Sequence, residues 1–390
     1  MSKRVGMEVS LAVAEAVGLA DVDVVAAYPI TPQTHIVEHL SELVADGHLD
    51  AEFIPVESEH SAMSTCIGSS AAGARTFTSS ASQGLALMHE MLYIVPSMRL
   101  PIVLAVANRA LSGPISIWND HSDIMCERDT GWIQLFAENG QDALDLTLQA
   151  FRIGEDPEVM LPVAVNIDGF NLSHVIEPMM MPDKDEVKKF LPPYKPPVRL
   201  DPAKPVSMGI FGPPEMFTEV KKSLDEALIG SKKVIYKVWD EFEKIFGRKY
   251  LPVETYKTED ADVILVTMGS VGETAMSAVD EMRADGKKVG LARIRMWRPF
   301  PDDEFRAAVK GAKKLAVIDR AATFGSSNNP VCQEVRSVLY HDADRPHVFG
   351  FAVGLGGRDV TRDTYKYVYE RCEKLVDEGQ PRNEMVGVME

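Results

Sequence analysis

Four short clusters set reactive side-chain types where strand-like runs give way to helical ones. Tyr28-Pro29-Ile30-Thr31-Pro32 follows the apolar run DVVAAY. Its two prolines fix the backbone around Thr31, which either holds its hydroxyl in place at a strand end or caps the next helix. Val56-Glu57-Ser58-Glu59-His60 opens a small-residue stretch reaching Gly73. A carboxylate in that first helical turn complements the helix dipole, and the small residues suit close packing on a backbone or a ligand. Thr78-Ser79-Ser80-Ala81-Ser82-Gln83-Gly84 repeats the order strand, polar turn, helix, and can offer backbone N–H groups to an anion. Asn108-Arg109-Ala110 ends the run PIVLAVA and precedes a long loop with Trp118, Asn119, Asp120, His121 and Asp123. A guanidinium at the end of a buried strand needs a partner, and an ion pair with Asp120 or Asp123 is the plain structural one.

Other patterns point elsewhere. His35-Ile36-Val37-Glu38-His39 spells HxxEH, an inverted zinc-protease motif, with no evident third ligand. GLGGRD near the C-terminus lacks the full GxGxxG spacing of a dinucleotide loop. Asn171-Leu172-Ser173 is a glycosylation sequon only in a secreted protein.

The 390 residues carry 58 acidic and 41 basic side chains, a net charge of −17. Such a surface repels phosphate backbones, which disfavours nucleic acid, and it disfavours direct docking of an acidic electron carrier. No run approaches the roughly eighteen apolar residues of a membrane span, and no signal-peptide core follows the N-terminus. Cys66, Cys126, Cys332 and Cys372 lie far apart without a CxxC pair. They read as reduced thiols in a cytoplasm, and they cannot alone hold an iron–sulfur cluster.

Positioning these clusters requires alternating strands and helices. DVVAAY, AEFIPV, ARTFTS, PIVLAVA and MLPVAVNI read as buried strands, with helices near Met7–Ala20, Thr34–Ala45, His60–Ala72, Leu85–Val95 and Asp142–Ile153. That alternation predicts an α/β fold whose ligands sit at the carboxyl ends of a parallel sheet. The first domain is expected over 1–176. Residues 177–258 are expected as a connector and helices: a proline-rich wrap to about 215 without regular core elements, then one broken or two short amphipathic helices. A second α/β domain, with strands DVILVTMGS, KVGLARIRMW, KLAVID and HVFGFAVG, is expected over 259–375, and a tail over 376–390.

In order, YPITP, ESEH, TFTSSASQG, RLPIVLAVANRA, WNDHSD, RDTGW and DGFNLSH, then VTMGS, WRPFP and GLGGRD, resemble the pyruvate and 2-oxoacid:ferredoxin oxidoreductase family, over about residues 5–370. The length resembles that of its α-type subunit. The resemblance implies a pyrimidine-type thiamine diphosphate domain followed by a domain like the transketolase C-terminal domain. Glu59 would hydrogen-bond N1′ of the aminopyrimidine, and Ser82 and Gln83 would also contact the cofactor. Thr31 and Arg109 would hold the substrate carboxylate. The implied reaction converts a 2-oxoacid, coenzyme A and oxidised ferredoxin to acyl-CoA and carbon dioxide. Magnesium and [4Fe-4S] clusters would lie on β-, γ- and δ-type partner subunits, and ferredoxin would meet one of those. Gln33 and Thr34 stand where some relatives carry serines, so pyruvate competes with branched-chain, aromatic and, more remotely, oxalate substrates. From other classes, a zinc hydrolase on His35, Glu38 and His39 and a non-catalytic scaffold are the rivals.

Overall fold

The computed structural model describes residues 3–378 and 383–389. An N-terminal strand, β1 (Lys3–Glu8), leads into α1 (Val9–Leu19). Strand–helix pairs follow: β2 (Val24–Ala27) with α2 (Thr34–Ala45), β3 (Glu52–Pro55) with α3 (Glu59–Ala72), and β4 (Thr76–Ser80) with α4 (Ser82–Ser97). Next come β5 (Val103–Asn108) with α5 (Ser122–Cys126), β6 (Ile133–Phe136) with α6 (Gly140–Gly154), and β7 (Val163–Asp168). Strands β3-β2-β4-β5-β7-β6 pair in parallel in that order. Every residue of β5 and β7 is buried, as strands covered by helices on both faces require. Apolar runs near 24–27, 76–80 and 103–108 thus become the strands their patterning predicts. Strand β6, in the run WIQLF, falls outside those read from the sequence.

The expectation that residues 177–215 hold no regular core element is corrected at its start, where Met179, Val187 and Phe190 join the first core. Ile176–Met181 forms β8, an antiparallel partner of β1, and α7 (Lys184–Phe190) follows behind a capping box of Asp183 and Glu186. Pro178 is tolerated because it lies in a two-stranded ribbon, where a missing N–H need not break a central ladder. From Leu191 to Pro213 the chain runs without helix or strand.

The expectation of a broken helix is corrected as well: α8 (Pro214–Phe246) is one helix of 33 residues. Its second half buries Val234, Ile235, Val238, Trp239 and Phe242, a stripe at helical spacing that packs on the first core. Continuity through Gly230 is cheap, because that glycine faces open space and costs only about 1 kcal/mol against alanine.

The C-terminal half contains β9 (Val253–Tyr256), β10 (Val263–Met268), α9 (Val271–Ala284), β11 (Val289–Ile294) and β12 (Met296–Arg298). It continues with α10 (Asp302–Ala308), β13 (Lys314–Asp319), α11 (Pro330–Leu339), β14 (His347–Ala352), α12 (Arg362–Glu378) and β15 (Glu384–Met385). The second sheet runs β15-β14-β13-β10-β11-β9, antiparallel only at β9. KVGLARIRMW, read as one strand, divides at Arg295. The first part is β11; the second, β12, crosses to pair with β6 and covers that edge of the first sheet. Arg295 is anchored at the crossing by Asp142 at 2.9 Å and by Glu254. The two sheets are therefore joined through shared strand pairing as well as side chains. Among the described residues, no helix is long and apolar enough to cross a membrane.

Candidate active site

The carboxyl ends of β2, β3, β4, β5 and β7 bring their following loops to one edge of the first sheet, the edge where parallel sheets bind ligands. Arg109, at the end of β5, donates from Nη1 to the Thr31 carbonyl at 3.0 Å and from Nε to the Ser116 carbonyl at 2.7 Å. The first and fourth clusters are thus in contact. Thr31 itself is exposed, follows no helix-capping pattern, and its hydroxyl makes no hydrogen bond among the described residues. The capping alternative for Thr31 is set aside, since α2 starts after Gln33. Gln33 is held within the sheet edge, donating to the Tyr28 carbonyl at 2.8 Å and accepting from Ser79 Oγ at 3.2 Å.

The structural ion pair for Arg109 does not form. Its guanidinium meets backbone carbonyls, while Asp120 accepts from Ser122 and from the Gly356 N–H. Asp123 instead accepts the N–H groups of Ser82, Arg109 and Ile124 at 3.0, 2.9 and 2.8 Å, and the Asn108 amide at 3.1 Å. Burial outweighs these four bonds and pushes its carboxyl up to about 6. Asp123 is therefore the hub that ties the β4 and β5 loops together. Ser82 sits at φ +48°, left-handed for a non-glycine, with its Oγ 2.6 Å from the Ala110 carbonyl and 2.7 Å from Gln83 Oε1. Such a backbone costs about 1–3 kcal/mol and persists because Asp123 and Ala110 hold it.

Glu59 and Glu57 differ sharply. Glu57 is exposed and accepts from Ser61 Oγ at 2.6 Å, which lowers its pKa. Ser58 already caps α3, accepting from the Ser61 N–H. Glu59 is only 6% exposed, yet among the described residues its carboxylate accepts no hydrogen bond and meets no cation. It lies against Gly84: a Cβ there would come 2.4 Å from Glu59 Oε1 and 2.7 Å from Ser80 Oγ. Ser80 Oγ is likewise buried without a partner. A largely buried carboxylate without a donor, beside the unpaired Ser80 hydroxyl, fits a ligand that brings an N–H. A protonated ring nitrogen of an aminopyrimidine meets that need. We expect Gly84→Ala to fold, since the clash is with movable side-chain ends, but to displace the Glu59 carboxylate. Activity of the assembled enzyme should fall at least about tenfold with the thermal midpoint nearly kept; full activity would separate Glu59 from the reaction.

His35 and His39 do not share a centre. His35 Nδ1 lies 2.6 Å from Glu8, whereas His39 meets Glu15 at 2.8 Å and Glu42 at 3.3 Å, and Glu38 is exposed. The HxxEH spacing is thereby corrected to two histidines with different carboxylate partners. The sequence also left unassigned Asp168, at the end of β7. It accepts from Arg320 Nη1 at 2.8 Å and from the Ser270 N–H at 3.0 Å, and lies 2.7 Å from His121 Nε2. This carboxylate locks the second sheet onto the loop that carries Arg109's partner Ser116. The next residue, Gly169, approaches so closely that a Cβ would sit 2.4 Å from the Asn108 carbonyl and 2.6 Å from Pro32.

Comparison with known proteins bears on the family and the fold. Residues 15–239 match the family described as pyruvate flavodoxin/ferredoxin oxidoreductase, thiamine diP-bdg, and residues 261–365 match pyruvate:ferredoxin oxidoreductase core domain II. Pyruvate synthase subunit PorA of Methanocaldococcus jannaschii is 50% identical over 370 residues, 94% of this chain and 94% of that one. The fold is similar to a 2-oxoglutarate:ferredoxin oxidoreductase from Magnetococcus marinus, with TM-score 0.71 and 20% identity over 95% of this chain and 65% of that longer one. It is also similar to a split gene transketolase, with TM-score 0.52 and 12% identity over 94% and 98% of the two chains. The α/β fold expected from the sequence is thus that of thiamine diphosphate enzymes. Together these matches place the chain in the pyruvate flavodoxin/ferredoxin oxidoreductase family.

Proposed function

We propose that this chain is the α-type subunit of a pyruvate:ferredoxin oxidoreductase, and that it supplies the pyrimidine side of a thiamine diphosphate site shared with a partner subunit. The observation that carries the reading is Glu59, a buried carboxylate without a donor among the described residues, set against Gly84 at the same sheet edge whose loops carry the Thr31–Arg109 pair. When bound, the cofactor supplies the electron sink for loss of carbon dioxide from a 2-oxoacid. Glu59 would accept a hydrogen bond from the N1′–H of the aminopyrimidine and hold that proton in place, which would leave the 4′-nitrogen able to act as a base. Arg109 offers a charged fork and Thr31 a free hydroxyl to the substrate carboxylate. Ser82 and Gln83 present the α4 end to the cofactor, held there by Asp123. The unit expected over 1–176 is read as the cofactor domain and that over 259–375 as the assembly domain; of the connector expected over 177–258, β8, α7 and α8 go with the first and β9 with the second, and β15 of the tail expected over 376–390 pairs with β14.

Magnesium, [4Fe-4S] clusters, the ferredoxin contact and part of the coenzyme A site fall to β-, γ- and δ-type subunits. In support, three of the four cysteines are buried thiols pushed up to about 12 by burial, far from one another in sequence. The isolated chain is expected to be colourless and without activity. Reconstituted with its partners, it should reduce a dye with pyruvate and coenzyme A faster than with a branched-chain 2-oxoacid. Arg109→Lys and Thr31→Val should lower kcat/KM by roughly tenfold to a hundredfold, the loss of about 1.5–3 kcal/mol, with cofactor content kept. Unchanged kinetics in both would remove them from the site.

A further inference from the structure

One side-chain cluster is left over by the reaction. Glu8 closes β1, His35 lies in the first turn of α2, and His174 follows β7. One ligand atom from each lies within 4.8 Å of the other two, although the residues come from three separate elements. The two imidazole rings face each other with centroids 4.5 Å apart, and Glu8 Oε1 is 2.6 Å from His35 Nδ1. All three side chains are half-buried, so an ion could reach them from solvent.

We propose that Glu8, His35 and His174 bind one divalent transition-metal ion of the zinc class, a site separate from the thiamine diphosphate reading and sharing only His35 with the HxxEH pattern. Two imidazoles and one carboxylate are the donor set of zinc-type ions, whereas calcium and magnesium take oxygen ligands. Three protein ligands leave a further position for water. The outer shell is also built. His174 Nδ1 lies 2.8 Å from Ser173 Oγ, which accepts the Phe170 N–H at 2.9 Å. Ser173 is fully buried and its carbonyl is held by the Ser10 N–H and hydroxyl. With Nδ1–H turned to that hydroxyl, Nε2 of His174 is free as a lone-pair donor. Glu8 and His35 need to separate slightly from their present contact to admit the ion between them.

The location suggests the consequence. A bound ion would staple the start of α1, the start of α2 and the loop after β7. The start of α2 lies only a few residues beyond Thr31, and Gly169 in the β7 loop packs on Pro32. Metal would therefore stiffen the Thr31 loop from behind without entering the site.

The test is titration of the metal-stripped full chain with zinc chloride, followed by calorimetry, and with cobalt(II) chloride, followed by its visible ligand-field bands. We expect one ion per chain, and a thermal midpoint that rises by a few degrees at a zinc concentration about a hundredfold above its dissociation constant. Glu8→Gln, His35→Gln and His174→Gln should each weaken binding by more than the ~10–100-fold typical of an outer-shell loss. His39→Gln, whose partners are Glu15 and Glu42, should bind as the parent does. His174→Gln is the decisive variant should His35→Gln fail to fold. Stoichiometric binding unchanged in His174→Gln, or no binding by the parent chain, would overturn the proposal.

Discussion

Glu59→Gln is expected to leave the chain folded and assembled while turnover of the complete enzyme drops at least about a hundredfold, the scale of general acid–base contributions. The amide fills the same space against Gly84 but carries no negative charge to hold a proton at N1′. Stability should move the other way from a usual core substitution. The native carboxylate is buried with no donor among the described residues, so its replacement removes a desolvation cost instead of an interaction. The thermal midpoint of the isolated chain is therefore expected to stay level or rise. A capping carboxylate would behave in the opposite sense, losing up to about 1 kcal/mol of stability with turnover intact. Ser58, which caps α3, makes that outcome the less consistent one with the geometry.

Asp168→Asn should give the largest loss of stability. Burial by itself would raise the pKa of Asp168, but Arg320 and His121 together hold its carboxyl well below the usual carboxylate range. A depressed carboxylate contributes stability above its unfolded pKa of about 3.9, and the contribution is lost as pH falls through the lower folded value. The wild-type chain should thus keep this contribution from neutral pH down to about pH 4 and lose it only in stronger acid. The amide cannot balance Arg320, which is 2% exposed, so a buried charge is left unpaired at a cost of about 3–5 kcal/mol. Denaturant unfolding at neutral pH measures it. A loss below about 1 kcal/mol would mean that the lock between the sheets is held elsewhere.

Much of this was legible without coordinates, for definable reasons. Strands such as Val103–Asn108 are short apolar runs ended by polar turns, and a loop at each carboxyl end follows from the parallel arrangement alone. That logic brings Thr31, Glu59, Ser82 and Arg109 to one edge. What local pattern could not show was which partner each would meet. Arg109 and Asp123 are fourteen residues apart, and their spacing suggests an ion pair, yet Asp123 takes backbone N–H groups while the guanidinium takes carbonyls. Asp168 and Arg320 are 152 residues apart, so nothing local announces the contact. The proline rule misled at Pro178 because it applies to central strands, and β8 lies in a two-stranded ribbon. The change of sheets at Arg295 is a tertiary choice made by Asp142 and Glu254, neither of them near it in sequence.

The reading of Glu59 as the partner of the aminopyrimidine is tested most directly by hydrogen–deuterium exchange at C2 of thiamine diphosphate bound to the assembled enzyme. Exchange is quenched at intervals and read by proton NMR, before any 2-oxoacid is added. This isolates the proton step from substrate binding, electron transfer and product release. In the parent enzyme exchange should outrun turnover, and in Glu59→Gln it should slow by at least about a hundredfold with the cofactor still bound. Exchange at the parent rate in Glu59→Gln, with cofactor content unchanged, would contradict the assignment and detach this carboxylate from the chemistry.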